Sequence, residues 1–408
     1  MKPRILHVTH RVPFPPDRGD RIRTWNILKF LAARADVDLA CLADEPVEPS
    51  TMDELRRTVR RVAVVPHADA RRYIRGAASL LCGQTVTEGL FRCGALTRII
   101  RAWNQDTIYN AAIASSSGIA SYILPPNVTT RGQVWVDLID VDSQKWLDYS
   151  AASRWPMSAV YQTEGQRLRA LESRLADEVD RLLVVTDAER QLFHSFHPAA
   201  PVQAIGNGVD TEFFGPGSTT VQPHNCVFVG VMDYKPNVDA VCWFVSEVWP
   251  EIRSRFSDAT FNIVGKSPAP EVTALAEVDG VTVTGPVPDV RPWLHQATCV
   301  VVPLRIARGV QNKVLEAMAC ARPVICSPAP LQGLAVEPGL QLLKAETAEE
   351  WLDSVTTVFE DTGRAEELGV AANAWVQTHH RWESCLQDVC VLLQECRGSE
   401  STELEVTP

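Results

Sequence analysis

Residues 298–304, TCVVVPL, form an unbroken apolar run, and such a run constrains the fold more than any other feature of this chain. A strand with one wet face alternates apolar and polar residues. One without alternation is buried on both faces, as in a parallel sheet covered by helices on each side. Comparable stretches recur along the chain as RILHVTH, VDLACLA, VRRVAVVP, NAAIASS, QVWVDL, DRLLVVT, NCVFVG, TFNIVGK and GVTVTGPV. Helical periodicity fills the gaps between them, at greatest length over residues 160–178. Strand–helix alternation of this kind predicts doubly wound α/β sheets.

At 408 residues the chain exceeds what one core serves, so two domains of roughly 200 residues each are expected. The stretch AIGNGVDTEFFGPGSTTVQPHN is dense in Gly, Pro, Asn and Thr and marks the boundary between two strand–helix series. The predicted organisation is a first domain over 1–205, a linker over 206–222, a second domain over 223–378, a terminal helix over 379–396 and a polar, disordered tail over 397–408.

The segment 303–327, PLRIARGVQNKVLEAMACARPVICS, carries the clearest chemistry. It reads as strand end, glycine turn, basic residue, acid-bearing helix and second buried strand. Gly309 lets backbone approach a bulky anion, and the helix starting near Gln311 turns unpaired N–H groups and the positive end of its dipole toward that point. Lys313 lies in the first turn, within reach of a phosphate; Glu316, one turn on, suits vicinal ribose hydroxyls. Arg305 and Val310 flank the same turn.

This stretch resembles the donor-site signature of retaining glycosyltransferases of the GT-B fold, family four, in which a helix carrying K-x-L-E-A-M-A is followed by P-V-I. The resemblance implies two Rossmann-like doubly wound domains facing an interdomain cleft. It also implies a nucleotide diphosphate sugar as co-substrate, with no separate cofactor; no metal is expected, since the nine histidines show no ligand spacing. The family commonly places a second glutamate eight positions before the one in L-E-A-M-A; here that position is Arg308. A guanidinium binds phosphate or carboxylate in a fork and accepts nothing from a sugar hydroxyl, so Arg308 reads the leaving group or an acidic sugar.

Other positions derive from the same resemblance. Gly19 corresponds to the glycine that lets backbone approach donor phosphates or acceptor, Lys235 is the available cation of the first loop of the second domain, and 207–210 (NGVD) with Phe214 and Pro216 resembles the hinge-side signature. Lys266, after Gly265, puts another cation at a strand end. On the acceptor side, VWVDLIDVDSQKWLDYS gathers Asp137, Asp140, Asp142, Ser143 and Lys145 beyond a strand, where carboxylates position a hydroxyl; Asp140 and Asp142 are the catalytic candidates, with Lys313 and Arg308. Together with RVPFPPDRGDRIRTWN and ARGVQNKVLEAMA, this run is similar to sugar transferases of bacterial exopolysaccharide systems associated with PEP-CTERM/exosortase sorting. The implied acceptor is a glycan or a polyprenyl-linked sugar.

A formal charge of −11 excludes a general nucleic-acid binder, which needs a basic face. Local charge differs: Arg56, Arg57, Arg60, Arg61, Arg71, Arg72 and Arg75 are interleaved with apolar residues, a pattern suited to peripheral contact with anionic lipid. No apolar run approaches the ~20 residues that cross a bilayer, and the N-terminus lacks a secretory pattern. A cytoplasmic protein, at the inner face of the plasma membrane, is expected. Cys226, Cys242, Cys299 and Cys326 sit in apolar elements without Cys-x-x-Cys pairs and read as reduced core residues. Two other readings exist: a catalytically idle GT-B homologue serving as a nucleotide- or glycan-binding scaffold, suggested by Arg308, and a Rossmann dehydrogenase, disfavoured because PFPPDRGDR lacks Gly-x-Gly-x-x-Gly.

Overall fold

A computed structural model describes residues 2–68, 71–307 and 310–398. The chain divides into two compact units: one runs to Ile205 and regains the chain from Leu386, the other covers Gly206–Cys385. The expected linker, 206–222, thus groups with the second unit. The terminal helix is two pieces, Trp382–Cys385 and Gln387–Gly398, split where the units divide. Of the expected tail, 399–408 lies outside the described residues.

The first unit holds seven strands: β1 (Arg4–Thr9), β2 (Asp36–Ala43), β3 (Arg61–Pro66), β4 (Tyr109–Ser115), β5 (Thr130–Ile139), β6 (Arg181–Val184) and β7 (Val202–Ala204). They lie in the order β3-β2-β1-β4-β5-β6-β7, every pair parallel. The second unit holds β8 (Asn225–Val229), β9 (Thr260–Val264), β10 (Val281–Val283), β11 (Cys299–Val302), β12 (Val324–Cys326) and β13 (Leu343–Lys344). Their order is β10-β9-β8-β11-β12-β13, again all parallel. Both orders reverse direction once, at β1/β4 and at β8/β11, and a doubly wound sheet binds ligands outside the carboxyl ends of the strands at that switch point.

The unbroken apolar runs behave as their composition demands. Val300, Val301 and Val302 of β11 and Val227 and Phe228 of β8 are wholly buried, each such side chain stabilising by about 1.5–3 kcal/mol. Phe244, Trp249, Phe261 and Trp351 pack edge to face and tilted beneath the sheet, which fixes the helix Lys235–Glu247 against it.

In the first unit the sequence predicts that Ile22, Trp25, Ile27, Leu28 and Leu31 give the helix over Gly19–Ala32 its apolar side, with Arg21, Arg23, Lys29 and Arg34 largely elsewhere. Its apolar side faces the sheet, and Arg21 and Arg23, which the pattern puts elsewhere, are also buried. Arg23 is fully enclosed because it has a partner: Nε and Nη2 donate to the Asp137 carboxylate at 2.9 Å each, and Nη1 donates to the Ile205 carbonyl at 2.7 Å. A buried charge needs pairing of that quality.

Candidate functional site

The second unit's switch point lies between the loop after β8 and the loop after β11. Gly265 adopts φ +152° after β9, and a Cβ there would fall 1.7 Å from the Gly230 carbonyl oxygen; only glycine permits so close a backbone crossing. Gly230 is equally constrained, since a Cβ on it would stand 2.8 Å from Asn237 Nδ2 and 3.1 Å from Lys313 Nζ.

Sequence places the start of the next helix near Asn237, with that residue as its cap. The helix starts at Lys235, behind Tyr234 and with Pro236 in its first turn, because proline's fixed φ favours that place. Asn237 is thereby turned inward, buried among the loop atoms. Its Nδ2 donates to the Val231 carbonyl at 2.8 Å, and its Oδ1 accepts from Lys313 Nζ at 2.6 Å. Lys313 Nζ also stands 4.3 Å from the centre of the Phe228 ring.

Lys313 belongs to the helix Asn312–Ala319, capped by Gln311, near where the sequence places its start. Burial pushes the Lys313 ammonium down to about 7, against the charge of Glu316 and then of Cys326. The Glu316 carboxyl is pushed up to about 7, again by burial, with Lys313 opposing. Both residues are half-buried, and both charged forms are held short of solvent, the condition that favours an incoming ligand charge. Asn312 Oδ1 accepts from Asn207 Nδ2 at 3.4 Å, tying the 207–210 signature to this helix. Gly208 in that signature is needed because a Cβ would meet the Trp382 nitrogen at 2.6 Å.

The remaining donor candidates occupy different settings. Arg308 and Gly309 lie outside the described residues. Val310 is buried. Arg305 forms a two-pronged ion pair with Asp239, Nε to Oδ2 at 2.9 Å, so its fork is already engaged. Lys235 is exposed in the first helical turn, and half-buried Lys266 comes directly after Gly265, its carbonyl accepting from Met232 N at 2.9 Å. In the first unit, Gly19 is the first residue of its helix and a Cβ on it would meet nothing.

The carboxylates of the first unit gather where β5 ends. The β5–β6 register shifts between Asp137 and Ile139, and Ile139 holds φ +71°, a left-handed conformation costing a β-branched residue of order 1–3 kcal/mol. A bulge re-aims the residues beyond it, here Asp140 and Asp142. Glu189 accepts from Val141 N at 2.7 Å and Glu172 from Ser143 N at 3.0 Å, capping the helix Asp142–Ala151 from two other helices. Asp140 is pushed up to about 7 by burial, then by Glu189 and Asp142; Asp142 is also raised by burial, with Lys145 and His10 opposing. The sequence-predicted pair therefore shares one acidic neighbourhood with Lys145.

Sequence reasoning missed Asn237 and Phe228 as partners of Lys313, and His10. At the β1/β4 switch point His10 Nδ1 lies 2.8 Å from the Ser115 carbonyl oxygen and Nε2 lies 3.3 Å from Asp20, which Arg11 also binds at 2.6 Å. Burial alone would raise Asp20, yet the hydrogen bonds and charges of His10 and Arg11 hold it far below the usual carboxylate range. The one signal in the sequence was position: His10 directly succeeds a strand.

Several of the arginines between 56 and 75 have acidic partners. Arg60 and Arg61 share the Asp38 carboxylate, and Arg56 and Arg57 pair with Asp53 and Glu54. β3, Arg61–Pro66, lies between these and the helix Arg71–Leu81 in the sequence. Among the described residues no helix is long and apolar enough to cross a membrane, and no group of three His, Cys, Asp or Glu is placed to hold a metal ion.

Two units, each a doubly wound parallel sheet, define the GT-B fold. Residues 223–361 match the family described as Glycosyl transferases group 1. Among curated proteins none matches by sequence. Among solved structures the chain is similar to sucrose-phosphate synthase from Thermosynechococcus elongatus, with 15% identity over 97% of this chain and 100% of that one and a TM-score of 0.72. It is also similar to TarM, at 11% identity over 96% and 99% and a TM-score of 0.69. HepE of Anabaena in complex with UDP and glucose gives 14% identity over 96% and 99% and a TM-score of 0.66. At such identities the likeness establishes the fold; with the group 1 match it supports glycosyl transfer.

Proposed function

We propose that the protein is a retaining, metal-independent glycosyltransferase that moves a hexose from a nucleotide diphosphate sugar to a glycan or polyprenyl-linked acceptor in exopolysaccharide biosynthesis. The observation that carries this reading is the Lys313–Asn237 contact beside Gly230, at the carboxyl ends of β8 and β11 and inside the group 1 match. A desolvated cation on a helix's first turn, with backbone that no side chain obstructs, is what a diphosphate requires. Glu316, one turn on, takes the ribose hydroxyls.

Chemistry then consists of stabilising the charge that grows on the departing diphosphate and excluding water. Lys313 supplies the first, with Lys235, Lys266 and Arg308 as further cations. Asp140 and Asp142 take the acceptor hydroxyl: a carboxyl whose proton affinity is raised by burial accepts the proton released as the sugar–oxygen bond forms. That HepE has been seen with UDP and glucose supports a nucleotide-sugar donor.

On the acceptor reading the protein works at the cytoplasmic face of an anionic membrane. In its support, Tyr73, Ile74 and Leu81 of the helix Arg71–Leu81 are 62%, 69% and 90% exposed, an apolar stripe turned outward at helical spacing with Arg72 beside it.

Thermal-shift titration with UDP-, GDP- and dTDP-sugars tests the donor reading: one nucleotide class raises Tm, and Glu316→Ala or Lys313→Ala abolishes the rise. No stabilisation by any of the three refutes it. Product anomers read by NMR decide retention, and sedimentation with phosphatidylglycerol vesicles, lost in Ile74→Asp, decides membrane contact.

A further inference from the structure

We propose that Asn237 is a positioning residue for the donor: it aims the Lys313 ammonium beside Gly230 while lending it no counter-charge, so that the anion completing the site is the ligand's diphosphate. The inference rests on the donor reading above and adds to it a residue and a reason for that residue's chemistry.

An ammonium has three N–H donors. Asn237 Oδ1 takes one at 2.6 Å, and the Phe228 ring faces the charge at 4.3 Å, which leaves donor capacity for a ligand. The amide is itself fixed, since Nδ2 donates to the Val231 carbonyl at 2.8 Å and the residue is 5% exposed. That bond also settles which end of the amide meets lysine: the carbonyl oxygen, because a carbonyl acceptor demands the NH2 end. Aspartate has nearly the same shape and would form an ion pair, cancelling the cation before any ligand arrived. Asparagine delivers the geometry without the charge.

The groups facing Lys313 come from four elements. Its own helix contributes Glu316, β12 contributes Cys326, the helix Lys235–Glu247 contributes the uncharged Asn237, and β8 contributes Phe228, with Gly230 just beyond it. Among the described residues Glu316 is thus the one carboxylate near it, and burial lowers the ammonium to about 7 despite that charge. A diphosphate arriving next to Nζ therefore binds together with a proton.

The test uses the full chain labelled with 13Cε-lysine, the Lys313 signal being assigned through Lys313→Arg. Wild type, Asn237→Asp and Asn237→Ser are titrated by NMR, and each is then titrated with UDP, GDP and dTDP by calorimetry in buffers of differing ionisation enthalpy. In Asn237→Asp the Lys313 midpoint rises by about one unit or more, the effect of an adjacent carboxylate, and nucleotide binding at pH 7.5 weakens at least tenfold. In Asn237→Ser the midpoint falls, binding also weakens at least tenfold, and wild-type binding takes up protons that neither variant takes up in the same amount. If Asn237→Asp does not fold, Asn237→Ser carries both readouts. A Lys313 midpoint and nucleotide affinity unchanged in a folded variant overturn the role of Asn237 while the donor reading stands. Failure of wild type to bind any of the three nucleotides overturns the donor reading and, with it, the assignment of the anion.

Discussion

Arg23 is the residue whose replacement most sharply tests how the first unit is held together. Its side chain is 0% exposed and that of Asp137 is 1% exposed, with two-pronged pairing and a further bond to the Ile205 carbonyl. Arg23→Met keeps much of the volume and removes the guanidinium, leaving an unpaired buried carboxylate at a cost of about 3–5 kcal/mol. Loss of the donor to Ile205 adds about 1–3 kcal/mol where no water replaces it. About 4 kcal/mol at pH 7.5, the low end of these two contributions together, is the expected loss. With m near 2 kcal/mol/M, the first unit's urea midpoint falls by about 2 M, read from the fluorescence of buried Trp25 and Trp135. The double variant Arg23→Met/Asp137→Leu removes both charges and recovers to within about 1–2 kcal/mol of wild type. A single variant costing under about 1 kcal/mol, or a double variant as unstable as the sum of both singles, refutes the claim that the pair's cost is one of unmatched charge.

The geometry sets three further outcomes. Gly265→Ala puts a Cβ 1.7 Å from the Gly230 carbonyl oxygen at φ +152°; the second unit should lose more than about 3 kcal/mol, and a urea midpoint unchanged for that unit would contradict the crossing. Gly230→Ala pushes on Asn237 Nδ2 at 2.8 Å and should weaken nucleotide binding at least tenfold with Tm lowered by only a few degrees; wild-type affinity would show that the amide's place does not matter. Asp140, pushed up to about 7 from about 3.9 in the unfolded chain, binds a proton in the native state that the unfolded state has released, so its stabilisation is complete below about pH 4 and lost as pH rises through about 7. Asp140→Asn should therefore flatten the fall of the urea midpoint between pH 5 and 7.5, and an identical slope in the variant would remove Asp140 from that titration.

Much of the architecture was legible because it depends on local pattern. Unbroken runs such as TCVVVPL give buried parallel strands, and the helix over 312–319 starts where the turn chemistry puts it. Lys313 and Glu316, three apart on that helix, had to share a face whatever surrounds them. Positions whose environment comes from other elements were not legible. Arg23 reads as a surface residue until Asp137, 114 positions away, is brought to it. Arg60 and Arg61 read as part of a basic patch until Asp38 engages both. Asn237 reads as a helix cap until the helix begins two residues earlier and turns its amide toward Lys313.

By itself the sequence determined the alternation of elements, the parallel character of both sheets and the helix that bears Lys313 and Glu316, because backbone preference and burial on two faces act over a few neighbouring residues. Tertiary structure decided which charges are paired within the protein and how far each is desolvated. Desolvation and pairing depend on what the fold carries to within a few ångströms, and Arg23, Lys313 and Asp140 each have a neighbour from an element far along the chain: Asp137, Asn237 and Glu189.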